Sequence, residues 1–200
     1  MIIRKYLFSF FYRVTRFLAR IITSFYQFIF KKKQDLESIV DFGDRNLVKI
    51  DKLFGGIAYQ FSIPDNLDVE LFDLKFKSPI IASSFKSDKN LIGIWLKLGL
   101  GGAILKTIMN EERLGNSKPR LQQVRLERQA CLVNALGLPG EGVEKFSEEI
   151  IDNSLWRHNK PIGLSIGGEN LDEYIKTFNV LETMSNKLKS SKYFFELNIS

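Results

Sequence analysis

From Val69 onward, two hydrophobic spacings take turns along the chain. Ile80-Ile-Ala82, Ala103 to Thr107, Pro161 to Ile166 and Tyr193 to Ile199 are short apolar runs bounded by turn residues. Such runs suit strands buried on both faces of a parallel sheet. Between them the apolar residues recur every three or four positions. Asp88 to Leu98 carries Leu91, Ile94, Trp95 and Leu98, and Gly142 to Asn153 carries Val143, Phe146 and Ile150. Leu171 to Lys189 continues the helical spacing. Repeated βα units predict an α/β fold with a parallel sheet and right-handed crossovers, about four units in all. Val69 to Phe76 alternates apolar and polar residues, as a strand or hairpin arm does. Ile108 to Glu141 reads as a long excursion without assigned elements. Residues 34–68 read as a polar connector with short helical patches, in which Phe54-Gly-Gly56 and Ser62 to Asn66 are turn signals.

The first 33 residues follow a different rule. Ser9, Arg13, Arg16, Arg20, Thr23 and Gln27 fall on one helical face, and Leu7, Phe10, Phe11, Val14, Phe17, Leu18, Ile21, Ile22, Phe25 and Phe28 fill the others. Ile21 to Phe30 is the longest uncharged run, too short for the roughly 20 residues that span a bilayer. A basic stripe beside an aromatic face suits an amphipathic helix lying in the headgroup region, with Lys31-Lys-Lys33 against anionic lipid. A basic, acid-free segment of this kind also fits a mitochondrial presequence. Interrupting arginines and the lack of a small-residue cleavage site speak against a secretory signal.

Charge sharpens this division. The chain has 29 basic and 23 acidic residues, a net charge of +6. Eight of the basic residues lie in the first 33, where no acid occurs, so the remaining 21 face all 23 acids and the body carries −2. The basicity belongs to one terminal segment and does not make a nucleic-acid-binding face. One cysteine, Cys131, excludes an internal disulfide framework and a multi-cysteine metal site. The single histidine, His158, sits in a polar stretch and reads as a solvated loop residue.

The chemistry-bearing residues gather where the predicted strands end. Ala82-Ser-Ser84 closes the first, Lys106-Thr107 the second, Ser165-Ile-Gly-Gly168 the third and Asn198-Ile-Ser200 the fourth. Small residues let a flat ligand approach backbone. A strand-end lysine holds an anion or a flavin. Asparagine amides pair with a donor and acceptor edge. Taken singly, each has a plainer reading, Asn134 as a turn residue and Lys106 as a solvated charge.

Ser78-Pro-Ile-Ile-Ala-Ser83, Leu105-Lys-Thr107, Gly115-Asn-Ser-Lys-Pro-Arg120 leading to Asn134-Ala-Leu-Gly-Leu-Pro139, and Phe195-Glu-Leu-Asn-Ile-Ser200 occur in that order. In that order they resemble the N-terminal half of a dihydroorotate dehydrogenase, an FMN enzyme on a TIM barrel. The resemblance implies a truncated (β/α)₈ barrel over residues 69–200, since a whole barrel takes roughly 250 residues. It further implies that Ala82 and Ser83 contact the flavin. Lys106 would lie between flavin and substrate, with Thr107 on the flavin side and Ser165 near it. Asn134, Leu136, Gly137 and Leu138 would form the substrate loop, with Asn134 on the orotate ring. Asn198 would touch both ligands. The catalytic base is expected beyond Ser200, so the chain is expected to be an inactive fragment; no metal is expected.

The same resemblance leaves alternatives open. Ile104-Leu-Lys-Thr107 and Leu164-Ser-Ile-Gly167 look closer to the soluble class, whereas the N-terminus looks like the quinone-linked membrane class. In the latter a lysine near Lys86 and Lys89 serves the substrate, so Lys89 rivals Lys106. Ser83-Ser84 replaces a small-Gly pair and asks a serine to take a glycine conformation. The expected function is oxidation of dihydroorotate to orotate in pyrimidine biosynthesis, at a membrane facing the cytoplasm or at the mitochondrial inner membrane. Quinone is the expected acceptor, and a homodimer is possible for the family. A non-catalytic membrane-bound relative and another FMN barrel oxidoreductase are the alternatives.

Overall fold

A computed structural model describes residues 2–29, 35–188 and 192–199. The Lys31–Lys33 run, the predicted helix end at Lys189 and Ser200 lie outside the described residues. The chain divides into two compact units, residues 1–50 with 116–136, and residues 51–115 with 137–200.

The first unit holds helix α1 (Ile2–Ile29) and most of helix α2 (Glu37–Ala58). In α1, half-buried Ala19, Thr23 and Gln27 stand four residues apart and turn inward. Gln27 Nε2 donates to the Asp35 carbonyl at 2.9 Å. The aromatic side chains point out: Phe10, Phe17, Phe25 and Phe28 are 62%, 63%, 65% and 82% exposed. The start of α2 is pinned in two ways. Asp35 Oδ1 caps it by accepting from the Glu37 N–H at 2.9 Å. The Glu37 carboxylate then takes Arg120 Nε at 2.9 Å and Lys118 Nζ at 2.8 Å. Partial burial opposes charge on Glu37, but the bonds from Lys118 and Arg120 outweigh it and hold the carboxyl below its usual range.

The second unit contains the parallel sheet. A hairpin of β1 (Val69–Leu71) and β2 (Leu74–Phe76) precedes β3 (Ile81–Ala82). Helix α3 (Lys89–Lys97) follows, its N-terminus capped by Asp88, and leads to β4 (Gly102–Ile108). The excursion after β4 is not structureless. It holds β5 (Glu112–Arg113), β6 (Leu121–Leu126), β7 (Gln129–Asn134) and β8 (Gly140–Glu141). The β6–β7 hairpin belongs to the first unit, and β5 pairs with β8 in the second. Helix α4 (Val143–Ile150), a 3₁₀ turn (Ser154–His158), β9 (Ile162–Ile166), α5 (Leu171–Ser185) and β10 (Tyr193–Leu197) complete the order. The sheet order is β10-β9-β4-β3, all parallel. The four predicted strands are therefore present, and β10 is an edge.

Helices cover one face of the sheet. Ala103, Leu105, Ile162, Leu164 and Ile166 join Ile92, Leu96, Phe146, Ile150 and Leu181 in one core. The other face carries Ile104, Gly163 and Phe194, with Phe76 of β2 meeting Phe194 edge-on, ring centroids 6.2 Å apart. Gly163 is required by space there, because a Cβ would lie 2.7 Å from the Phe194 ring.

Two expectations are corrected. The Gly55-Gly56 turn signal lies inside α2, which runs unbroken from Glu37 to Ala58. A Cβ on Gly55 would stand 2.3 Å from Asp51 Oδ1, and that carboxylate holds Lys97 Nζ at 2.7 Å. Any larger residue there would force the Asp51 carboxylate to shift. His158 is half-buried at the end of the 3₁₀ turn, close against Gly93 of α3, instead of solvated in a loop. Burial first, and then the Lys97 and Lys160 charges, lower its pKa.

Candidate functional site

In an open parallel sheet, ligands bind beyond the carboxyl ends of the strands. At that edge β4 departs from regular pairing. Leu105 stands opposite Leu164 and Ile108 opposite Ile166, so Lys106 and Thr107 together face Ser165. This is a β-bulge, which re-aims side chains. The Lys106 N–H that leaves the ladder donates instead to the Lys86 carbonyl at 3.0 Å.

The bulge brings three strands into one chain of hydrogen bonds. Asn198 Nδ2 donates to Thr107 Oγ1 at 2.8 Å. Thr107 Oγ1 and Ser165 Oγ are 3.1 Å apart. Ser165 Oγ donates to Glu196 Oε1 at 2.8 Å. Thr107 and Ser165 are buried, and Glu196 and Asn198 half-buried. The Asn198 backbone is fixed separately, its N–H donating to the Ile166 carbonyl at 2.8 Å and its carbonyl accepting from Tyr174 Oη. Beside the network, Lys106 and Thr107 line a cleft of about 150 Å³ that also takes in Ser87, Met109, Glu141 and Phe146.

Four of the predicted residues thus meet at one place: Lys106, Thr107, Ser165 and Asn198. Ala82 packs against the helix-side core. Ser83 is exposed just beyond β3. Neither Ser83 nor Ser84 has a positive φ, so the expected demand for a glycine conformation is absent. Lys89 is engaged elsewhere, with Nζ 2.7 Å from Glu149, 3.5 Å from Glu141 and 5.5 Å from the Phe146 ring centroid.

The predicted substrate loop divides. Asn134 is not a turn residue: it ends β7, opposite Leu121, and is exposed in the first unit. Leu136 is half-buried in the same unit. Gly137 and Leu138 belong to the second unit and are both left-handed, at φ 72° and 49°. Glu196 was missed by the sequence reading. Its signal is an acid in the otherwise apolar run Tyr193 to Leu197, two residues before Asn198.

The donor set suits the heteroaromatic edge of a flavin or pyrimidine. It combines an ammonium and an amide with two buried hydroxyls whose protons are held within the network. Among the described residues no group of histidine, cysteine and acidic side chains is arranged to hold a metal ion.

A family model for dihydroorotate dehydrogenase matches residues 66–200. A dihydroorotate dehydrogenase (quinone) of Thermus thermophilus is 29% identical over 142 residues, covering 67% of this chain and 38% of that protein. A dihydroorotate dehydrogenase B (NAD(+)), catalytic subunit, of Pyrococcus horikoshii is 33% identical over 136 residues, covering 67% and 40%. A dihydroorotate dehydrogenase (quinone) of Christiangramia forsetii is 34% identical over 140 residues, covering 68% and 39%. The chain therefore spans about two fifths of the length of these curated relatives.

Proposed function

The chain belongs to the dihydroorotate dehydrogenase family, and from that premise we propose that it supplies the N-terminal half of an FMN-binding site for oxidation of dihydroorotate to orotate, in pyrimidine biosynthesis. The observation that carries the reading is the hydrogen-bonded joining of Thr107, Ser165, Glu196 and Asn198 across three strand ends, with Lys106 on the adjacent bulge.

Lys106 and Asn198 would hold the flavin ring, with Thr107 and Ser165 supporting them from within the sheet and Ala82 and Ser83 beside it. Bound FMN supplies a two-electron acceptor. The chain's own residues bind and orient. Lys106 brings a positive charge to ring oxygens, where a charge-assisted bond contributes roughly 1.5–3 kcal/mol. Asn198 presents an amide to the substrate edge. Burial of Thr107 and Ser165 keeps water from competing for these bonds. Asn134, Leu136, Gly137 and Leu138 are assigned to the substrate by resemblance alone. No base is assigned.

The reading extends to membrane attachment, with quinone as the acceptor that such attachment favours. No helix among the described residues is long and apolar enough to cross a membrane. Helix α1 instead turns Ala19, Thr23 and Gln27 inward and its aromatic side chains outward, the reverse of a helix packed for water. Exposed Arg13, Arg16 and Arg20 stand beside that aromatic surface, as at a headgroup boundary.

Two titrations test the proposal. FMN fluorescence should quench on addition of the chain, and orotate should perturb the bound flavin's absorbance. The chain should also co-sediment with anionic vesicles and be released by salt. Failure of both flavin signals sinks the enzyme reading; vesicle binding indifferent to lipid charge and salt sinks the electrostatic part of the anchor.

A further inference from the structure

The polarity of the strand-end network follows from its last member. Glu196 Oε1 accepts from Ser165, which uses the only proton on Ser165 Oγ. At the 3.1 Å contact with Thr107, Ser165 is then left to accept, so Thr107 donates. Thr107 Oγ1, its proton spent, accepts from Asn198 Nδ2 at 2.8 Å. Every link is dictated by the carboxylate, and the sequence of donors runs one way from Asn198 to Glu196. Asn198 lies one residue beyond the end of β10, two residues after Glu196. Glu196 also stands directly across from Ser165 in the β9–β10 register.

We infer that Glu196 is a positioning residue that sets the orientation of the Asn198 amide through Ser165 and Thr107. With the carboxylate present, the Asn198 amino group turns inward on Thr107. Without it, Ser165 is free to donate to Thr107, Thr107 to the Asn198 carbonyl, and the amide turns over. The ligand-facing role of Asn198 rests on the functional reading above; the polarity of the network does not.

The test uses the whole 200-residue chain, ¹⁵N-labelled, with Asn198→Asp to identify the side-chain amide signals. One Asn198 Nδ2 proton is expected to exchange slowly with solvent. Glu196→Leu should speed that exchange about tenfold, the change expected for one hydrogen bond lost. Glu196→Gln keeps an acceptor oxygen at the same reach and should restore most of the protection. Rescue of this kind is not expected of a residue that merely stabilises the edge strand. Wild-type exchange in Glu196→Leu overturns the inference. If that variant does not fold, Ser165→Ala breaks the same chain one link later and must show the same rise; unchanged exchange there overturns it equally. Because no ligand enters this measurement, its outcome is separate from the flavin titration that tests the functional reading.

Discussion

Gly167→Ala puts the strand-end network under a defined load. Gly167 follows β9, and its N–H donates to the Ile108 carbonyl at 3.0 Å, so the backbone cannot back away. A Cβ there would stand 2.6 Å from Thr107 Cγ2 and 2.7 Å from Met109 Sδ. Met109 is unbranched and can yield at little cost. Thr107 is β-branched and cannot rotate without carrying Oγ1 away from Ser165 and Asn198. Overpacking of this kind costs about 1–3 kcal/mol, and two displaced hydrogen bonds cost about 1 kcal/mol each. The substitution should therefore destabilise by about 3–5 kcal/mol and weaken flavin binding. Thr107→Ser removes the offending methyl and keeps the hydroxyl, at about 1 kcal/mol alone. The double variant should recover about 1.5–2 kcal/mol relative to additivity. Urea denaturation of the four proteins, followed by circular dichroism, completes the cycle. A Gly167→Ala cost below about 0.5 kcal/mol, or a double variant additive within that margin, refutes the reasoning.

Lys106→Ala should weaken flavin or orotate binding about 10- to 150-fold, the equivalent of one charge-assisted bond, with little change in melting temperature. Lys89→Ala should instead cost stability through Glu149 and Glu141; a large binding loss in Lys89→Ala and none in Lys106→Ala would reverse the two assignments. The lowered pKa of His158 makes a pH prediction: the unfolded chain takes up its proton near pH 6.5, before the folded chain does, so stability should fall as pH drops below about 6.5 and level off below the folded pKa. A single proton contributes at most about 1.4 kcal/mol per pH unit, and His158→Phe, measured by denaturant midpoints from pH 8 to 5, should remove that slope.

The sheet was legible because its strands are short apolar runs closed by turn residues, and its helices repeat apolar residues at helical spacing. The β6–β7 hairpin was not. Its turn places Glu127 and Arg128 at φ 47° and 69°, without the Asn-Gly or Asp-Gly pair that usually announces such a turn. Asn134 was misplaced for the same reason, since nothing marked its segment as a strand. The Gly55-Gly56 signal misled because the glycine there answers a packing demand from Asp51, which is 4 residues back in sequence and bound to a lysine 46 residues away. At the site, residue types at strand ends pointed to Lys106, Thr107, Ser165 and Asn198. Their connection depends on a bulge and a cross-strand register, and neither has a local sequence signature. Glu196 was hidden by the same register.

The bulge also sets a trade between regular pairing and chemistry. A β4 strand one residue shorter at this point would place a single residue opposite Ser165 and still set Ile108 against Ile166. The ladder would be uninterrupted, and no core residue would change sides. The extra position is superfluous to the sheet, then, and what it adds is room for a lysine next to a threonine at one strand end. An insertion or deletion at residues 106–107 is for that reason a change the fold can absorb and the site cannot. Variants that fold well yet have lost ligand binding should be sought first at this pair.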